Sequence, residues 1–364
     1  MSIRPRQSLL NPDLQRPSAL NSIPRSSSML WLDKNENLDP TMLAVSAEIL
    51  ASIPPIALAT YPEAGDLYRK LSTWIGVDPE ALLLTPGSDG AIRLTFETFI
   101  DNGDFVLHTN PTFAMYPIYC QMFGASAIAI EYSMVGDEPS LQVLQIVDSI
   151  KRHQPKLVCL PNPDSPTGTV ISPDDLRKIL LVCEEFDCVL LVDEAYHPFY
   201  KWSIVPWTKT SKNLIVARTF AKAWGAAGLR IGYAVGHPET IALLHKMRPM
   251  YEVSTIAVEF MTRMLDRVSE MENSVSRIQD GKLHFQNEMR NLGYKVLDTN
   301  GNFVHISFGE DLPLINTALA GNVLYRGSFA HPSLLGYSRF SVAPVDAMSR
   351  VIQLINQAII EREN

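Results

Sequence analysis

The sequence predicts an α/β protein with a mostly parallel central sheet in a large domain, completed by a smaller α+β domain. Three observations carry that expectation. A length of 364 residues exceeds what one compact core holds and suits a large domain with a smaller partner. From about residue 80 to 235, short apolar runs ending in polar or Gly/Pro-rich loops alternate with amphipathic stretches, the pattern of strands joined by crossover helices. After residue 250 the texture changes to long helical periodicity followed by isolated strand-like runs. Residues 1–40 are therefore assigned to an N-terminal arm and part of the small domain, 41–250 to the large domain and 251–364 to the small C-terminal domain. The boundary is expected near Arg248–Glu252, where Pro249 interrupts.

In chain order, the expected strands of the large domain are Ala81–Leu84, Phe105–Leu107, Lys156–Leu160, Val189–Val192 and Leu214–Ala217. Between them, Pro173–Glu185 places Leu176, Ile179, Leu180 and Cys183 at helical spacing and reads as a crossover helix. Beyond the boundary, Val258–Leu292 reads as long helices, Asn302–Phe308, Val323–Arg326 and Arg339–Val342 as strands, and Val345–Glu361 as a final helix. Ligands of open parallel sheets sit outside the carboxyl ends of the strands. The loops that follow the five runs are therefore expected to face one site.

Composition narrows the function classes. Hydrophobic residues make up 46% and charged residues 19%, enough apolar material for a substantial core. A net charge of −8 argues against nucleic acid as a partner, since phosphate backbones call for clustered Lys and Arg. Cys120, Cys159, Cys183 and Cys188 lack CxxC or Cys/His metal spacing and read as reduced, buried thiols, which points to the cytoplasm and to no metal. The first 28 residues carry Arg4, Arg6, Arg16 and Arg25 but no apolar run of the kind a signal peptide needs. They are expected to form an arm, either frayed or laid over a neighbouring subunit. No later segment is apolar for long enough to span a membrane.

The loops carry the chemistry. Thr85 to Gly90 leads into a helix whose free N–H groups attract an anion, and Gly87 lets a phosphate approach; Ser88 or Asp89 as a plain N-cap is the alternative. Asn110 to Tyr116 puts Phe113 and Tyr116 beside a strand end, as core residues or as stacking partners for a flat ring. Pro161 to Gly168 holds three prolines and a glycine, which restricts its backbone. Asp193 ends an apolar run, where a buried carboxylate is costly unless a cation meets it. Lys222 is flanked by Phe220, Ala221, Ala223 and Trp224, so desolvation lowers its pKa and favours the neutral, nucleophilic amine. Arg230, eight positions on, suits bidentate phosphate binding. A phosphate cradle, a stacking aromatic, a carboxylate for a ring cation and a desolvated lysine for an aldehyde together describe pyridoxal phosphate.

At these residues the sequence resembles the fold-type I aminotransferases of class I/II, and within them the histidinol-phosphate aminotransferase family. The resemblance runs from about Trp31 to Ala343. Its strongest pieces are Asp193-Glu194-Ala195-Tyr196 and the stretch Arg218 to Tyr233, supported by Leu32 to Asn37, Tyr61-Pro62-Glu63, Gly87-Ser88-Asp89 and Asn302-Phe303. It implies the pyridoxal-phosphate transferase fold of type I and a Schiff base between Lys222 and the cofactor, with Lys222 later acting as the base for the substrate's α-proton. Asp193 pairs with the pyridine nitrogen, Tyr196 with the ring's phenolic oxygen, and Phe113, or failing it Tyr116, stacks on the ring. Backbone groups around Gly87, Ser88 and Asp89, with Thr219 and Arg230, hold the phosphate. Tyr61 reaches the phosphate in a neighbouring subunit, which implies a homodimer with shared sites. Arg339 and Arg326 match substrate-binding arginines; a surface ion pair is the alternative for each.

The chain also departs from the family. Asp164-Ser165-Pro166-Thr167-Gly168 stands where the family reads Asn-Asn-Pro-Thr-Gly, so Ser165 replaces the amide that contacts the cofactor's phenolic oxygen. The shorter hydroxyl is expected to raise the pKa of the lysine–cofactor bond. Ala221 replaces a serine that adds a phosphate contact, and Leu38-Asp39-Pro40 follows Asn-Glu-Asn in place of a Pro-rich continuation. The reaction implied by the resemblance is transamination from an amino donor, glutamate first, to a phosphorylated ketone or a 2-oxo acid. Decarboxylation of an amino acid or its phosphate ester with the same apparatus is the alternative.

Overall fold

The computed structural model describes residues 4–12, 14 and 25–363; Arg16 and half of the expected arm lie outside them. The central sheet has seven strands among these residues: β1 (Leu82–Thr85), β2 (Phe105–Asn110), β3 (Ser126–Glu131), β4 (Leu157–Pro161), β5 (Val189–Asp193), β6 (Leu214–Thr219) and β7 (Gly232–Gly236). Their order across the sheet is β1-β7-β6-β5-β4-β2-β3. All neighbours pair in parallel except β7, which runs antiparallel to both β1 and β6. All five expected runs are strands, with bounds moved by up to three residues.

The helices of this part of the chain are α1 (Pro40–Ser52), α2 (Gly65–Ile75), α3 (Gly87–Phe99), α4 (Met115–Phe123), α5 (Val143–His153), α6 (Pro173–Glu185), α7 (Pro238–Met247), α8 (Thr255–Met264) and α9 (Val268–Asn291), of which α2, α3, α4, α6 and α7 pack on the strands of the central sheet. The expected crossover helix is α6. Ser172 caps it by accepting from the Asp175 N–H, Pro173 takes the first helical position, and Asp174 and Asp175 face the positive end of the helix dipole. Alternation along the strands sorts side chains to two faces. Leu157, Cys159 and Leu191 pack with α3, α4 and α7 on one face. Val158, Leu160 and Val192 join the larger core on the other.

The C-terminal part adds β8 (Lys295–Leu297), β9 (Phe303–Ser307) and β10 (Ser338–Ser341) as an antiparallel sheet, with α10 (Leu312–Leu319) and α11 (Val345–Glu363). The N-terminal segment reaches it too: Leu30–Trp31 pairs in parallel with Val323–Leu324. Within the described part of the arm, Gln7–Leu10 forms a short 3-10 turn, and the Ser8 hydroxyl donates to the Met122 carbonyl of α4 at 2.9 Å. These residues therefore lie on their own chain. No helix among the described residues is long and apolar enough to cross a membrane.

Candidate active site

The carboxyl ends of β1, β2, β4, β5 and β6 open into one cleft of about 560 Å³, closed on its far side by Arg326 and Arg339. Gly87, Ser88, Asp89, Phe113, Ser165, Asp193, Tyr196, Thr219, Lys222 and Arg230 all line it. Tyr116 and Tyr61 do not. Tyr116 is fully buried behind Phe113, the rings edge to face at 5.8 Å, with its hydroxyl beside the Asp193 carboxyl but outside hydrogen-bonding geometry. Tyr61 is 71% exposed and stacks on Tyr251 at 4.2 Å.

At one end of the cleft β1 turns sharply into α3. Pro86 is the N-cap position and makes no side-chain cap, so neither Ser88 nor Asp89 plays the plain capping role. Asp89 accepts instead from the Tyr119 hydroxyl at 2.9 Å. The first N–H groups of α3 are thus left without a side-chain cap, a natural anion cradle. Gly87 has φ +74°, and a Cβ there would stand 3.1 Å from the Arg230 guanidinium. Thr219 closes this end as the last residue of β6, its hydroxyl accepting from the Ala221 N–H at 3.0 Å.

Asp193 ends β5 at 5% exposure, and its carboxyl is pushed up to about 7 by burial, opposed by the Ala195 N–H at 3.0 Å and reinforced by the charge of Asp89. Among the described residues no cationic side chain pairs with it. Its neighbour Glu194 differs: it takes two bonds from the Arg218 guanidinium, at 3.0 and 2.9 Å, and others from Ser203 and the Ile204 N–H. Glu194 is thereby spent on structure, whereas the Asp193 carboxyl accepts from the Ala195 N–H.

Lys222 lies half-buried on the cleft floor, its amine donating to the Lys34 carbonyl at 2.6 Å. Burial first, then the charges of Arg339 and Arg230, bring it down to about 8 against the pull of Glu36 and Asp193. Tyr196 is buried, and its hydroxyl accepts from the Asn35 side-chain amide at 2.8 Å while Ser165 lies against the same oxygen. Ala221 lines the cleft beside Lys222 and brings no hydroxyl there.

Arg326 and Arg339 exchange backbone hydrogen bonds of 3.0 and 2.8 Å, which fixes them side by side; Arg339 is on β10, whereas Arg326 lies in an isolated bridge beyond Val323–Leu324, where the expected strand Val323–Arg326 stops short. Arg339 is buried over the Phe303 ring, donates to the Asp33 carbonyl at 3.0 Å and keeps its Nε without a partner; Arg326 is exposed and lies over Phe329 at 4.5 Å. Among the described residues neither forms the ion pair that was the alternative reading. Asp33, Lys34 and Asn35, along with Phe329 and His331, line the cleft without having been assigned a role from the sequence. The stretch Leu32 to Asn37 was a signal, but nothing local to it says what its polar groups meet.

These residues fit pyridoxal phosphate on two independent grounds: a buried carboxyl lacking a cation, and a glycine cradle facing a guanidinium. The profile of the family described as "Aminotransferase class I and II" matches residues 27–355. The chain belongs to that family. This aminotransferase is 30% identical to a histidinol-phosphate aminotransferase of Caldanaerobacter subterraneus subsp. tengcongensis, over 90% of this chain and 92% of that one. Among solved structures it is similar to a putative histidinol-phosphate aminotransferase from Erwinia carotovora atroseptica, with TM-score 0.82 and 22% identity over 94% and 99% of the two chains. It is also similar to the histidinol-phosphate aminotransferase from Sinorhizobium meliloti in complex with pyridoxal-5'-phosphate, with TM-score 0.78 and 22% identity over 91% of each chain. The fold is that of the type I pyridoxal-phosphate transferases, and the aminotransferase uses pyridoxal phosphate as its cofactor.

Proposed function

We propose that this aminotransferase moves an amino group from an amino acid, glutamate first among them, to a phosphorylated ketone such as imidazole-acetol phosphate, with a 2-oxo acid as the second acceptor class. One observation carries the reading: two guanidinium groups held side by side in the cleft that also contains the Lys222 amine and the Asp193 carboxyl. Planar forked donors suit phosphate and carboxylate alike, and the similarity to histidinol-phosphate aminotransferases favours the phosphorylated ketone.

In this reading Arg339 and Arg326 bind the substrate's anionic groups. Gly87, Ser88 and Asp89 through their backbone, with Thr219 and Arg230, hold the cofactor's phosphate. Phe113 stacks on its ring, Asp193 keeps the ring nitrogen protonated, and Tyr196 and Ser165 serve its phenolic oxygen. Pyridoxal phosphate bound there supplies an electron sink for the charge left when a bond to the substrate's α-carbon breaks. Lys222 attaches the cofactor and then, as a neutral amine, takes the proton from that carbon. Tyr61 belongs to the site of a second subunit in a homodimer. Supporting this, Leu58, Tyr61, Met250 and Tyr251 expose apolar surface on two segments joined by the Tyr61–Tyr251 stack and by the Thr255–Thr60 hydrogen bond. We place the protein in the cytoplasm, where its four free, buried cysteines stay reduced.

Decarboxylation has less support, because the family and the relatives named above are aminotransferases. The test is a screen of amino donors against the cofactor-loaded protein, followed by visible absorbance. Conversion of the cofactor to its pyridoxamine form by glutamate, and its return by the phosphorylated ketone, is expected; carbon dioxide release without conversion would overturn the proposal. Borohydride reduction should fix the cofactor on Lys222, and Lys222→Ala should retain none after denaturation.

A further inference from the structure

We propose that Asn35 is a positioning residue for the reaction, its side-chain amide fixing the direction of the Tyr196 hydroxyl proton. The proposal rests on the reading of Tyr196 given above, as the group that serves the cofactor's phenolic oxygen.

The proton direction follows from the contacts of one amide. The Asn35 backbone N–H donates to the Ser341 hydroxyl at 2.7 Å, so that hydroxyl's own hydrogen is free to reach the Asn35 Oδ1 at 3.2 Å. This places the oxygen end of the amide at Ser341 and leaves Nδ2 facing the Tyr196 oxygen at 2.8 Å. An amide nitrogen only donates. Tyr196 therefore accepts from Asn35, and its own proton is left for a partner in the cleft that it lines. At 2% exposure Asn35 has no water to replace it.

The backbone of this residue is held as firmly as its side chain. Asn35 adopts φ +56°, a left-handed conformation that asparagine tolerates better than most residues. Its carbonyl accepts from the Asn302 side chain at 3.0 Å. The two residues before it hold the other cleft groups: the Asp33 carbonyl takes the Arg339 guanidinium at 3.0 Å, and the Lys34 carbonyl takes the Lys222 amine at 2.6 Å. Three consecutive residues thus each fix one functional side chain, and Asn35 is the one that does so through a replaceable group.

Asn35→Gly tests this directly, since glycine keeps the left-handed backbone and removes the donor. The readout is the pH titration of the visible absorbance of the cofactor-loaded protein, wild type against variant. A phenol deprived of a donor is a poorer donor itself, so the form it stabilises, the deprotonated one, should be reached at higher pH, by about one unit. The turnover number should fall about tenfold, with a smaller change in KM for the amino donor. In a Tyr196→Phe background Asn35→Gly should leave the titration midpoint where it is. A wild-type midpoint in Asn35→Gly would overturn the inference, as would an equal shift with and without the Tyr196 hydroxyl, which marks a structural role. Should Asn35→Gly lose the cofactor, Asn35→Asp serves in its place: it keeps the Ser341 contact, and its shift must be larger with Tyr196 than with phenylalanine. A wild type with no visible band at all would instead sink the reading of the site itself.

Discussion

A carboxyl that keeps its proton to about pH 7, as Asp193 does, links the site to stability. Between the ordinary value of 3.8 and the raised one, the folded chain binds a proton that the unfolded chain has released. The contribution is therefore present below the unfolded value and is lost as pH rises through the folded one. Asp164, also pushed up to about 7 by burial, acts in the same direction. In apoprotein, Asp193→Asn should lose less stability than wild type between about pH 5 and about pH 8. Urea midpoints at the two pH values measure this, and equal losses in both proteins would contradict it. The bound cofactor's ring cation should reduce the same slope in the wild type. Residues such as Asp193, Lys222 and Arg230 were legible in the sequence because a charge set among apolar neighbours is costly without a purpose. Asn35 was not. It is uncharged, and its partner Tyr196 is 161 positions away, so its contribution exists only once the fold has joined the two.

Among the elements of the central sheet, the sequence showed five of the seven strands and missed two, for different reasons. The edge strand β3 leaves most of its residues exposed or half-exposed, and so lacks a continuous apolar run. The inserted strand β7 begins and ends with glycine and resembles a loop. The first of these glycines is required by packing: a Cβ on Gly232 would come within 2.5 Å of the Gly87 backbone carbon and 2.6 Å of the Arg218 carbonyl oxygen. Similar reasoning gives a prediction for α9. There a Cβ on Gly281 would collide with the Ala343 carbonyl oxygen and meet the Pro344 carbonyl carbon at 2.9 Å. Alanine is the better helix former by about 1 kcal/mol, yet overpacking against backbone typically costs about 1–3 kcal/mol. Gly281→Ala should therefore lower the urea midpoint, while Asn273→Ala at an exposed position of the same helix should leave it unchanged or raise it slightly. A stabilised Gly281→Ala would show that α9 and the segment before α11 separate at little cost.

For the whole molecule, the decisive question is whether each site draws on two chains. Tyr61 lies outside its own chain's cleft, on an exposed apolar surface, so its proposed role in phosphate binding requires a second copy in a closed, two-fold arrangement. That arrangement has a consequence that neither chain shows alone. In a hybrid dimer of one Lys222→Ala chain and one Tyr61→Ala chain, one site combines both substitutions, and the other combines an intact lysine with an intact tyrosine. Each variant alone should be impaired: Lys222→Ala inactive, and Tyr61→Ala weakened in cofactor retention. Unfolding and refolding them together in equal amounts, with cofactor limiting, should restore roughly a quarter of wild-type activity per chain, as expected for random pairing into dimers. The yield should follow the fraction of mixed dimers seen by native mass spectrometry. If activity in the mixture stays at the sum of the two variants measured separately while mixed dimers form, Tyr61 works within its own chain or not at all. The exposed patch would then need another explanation.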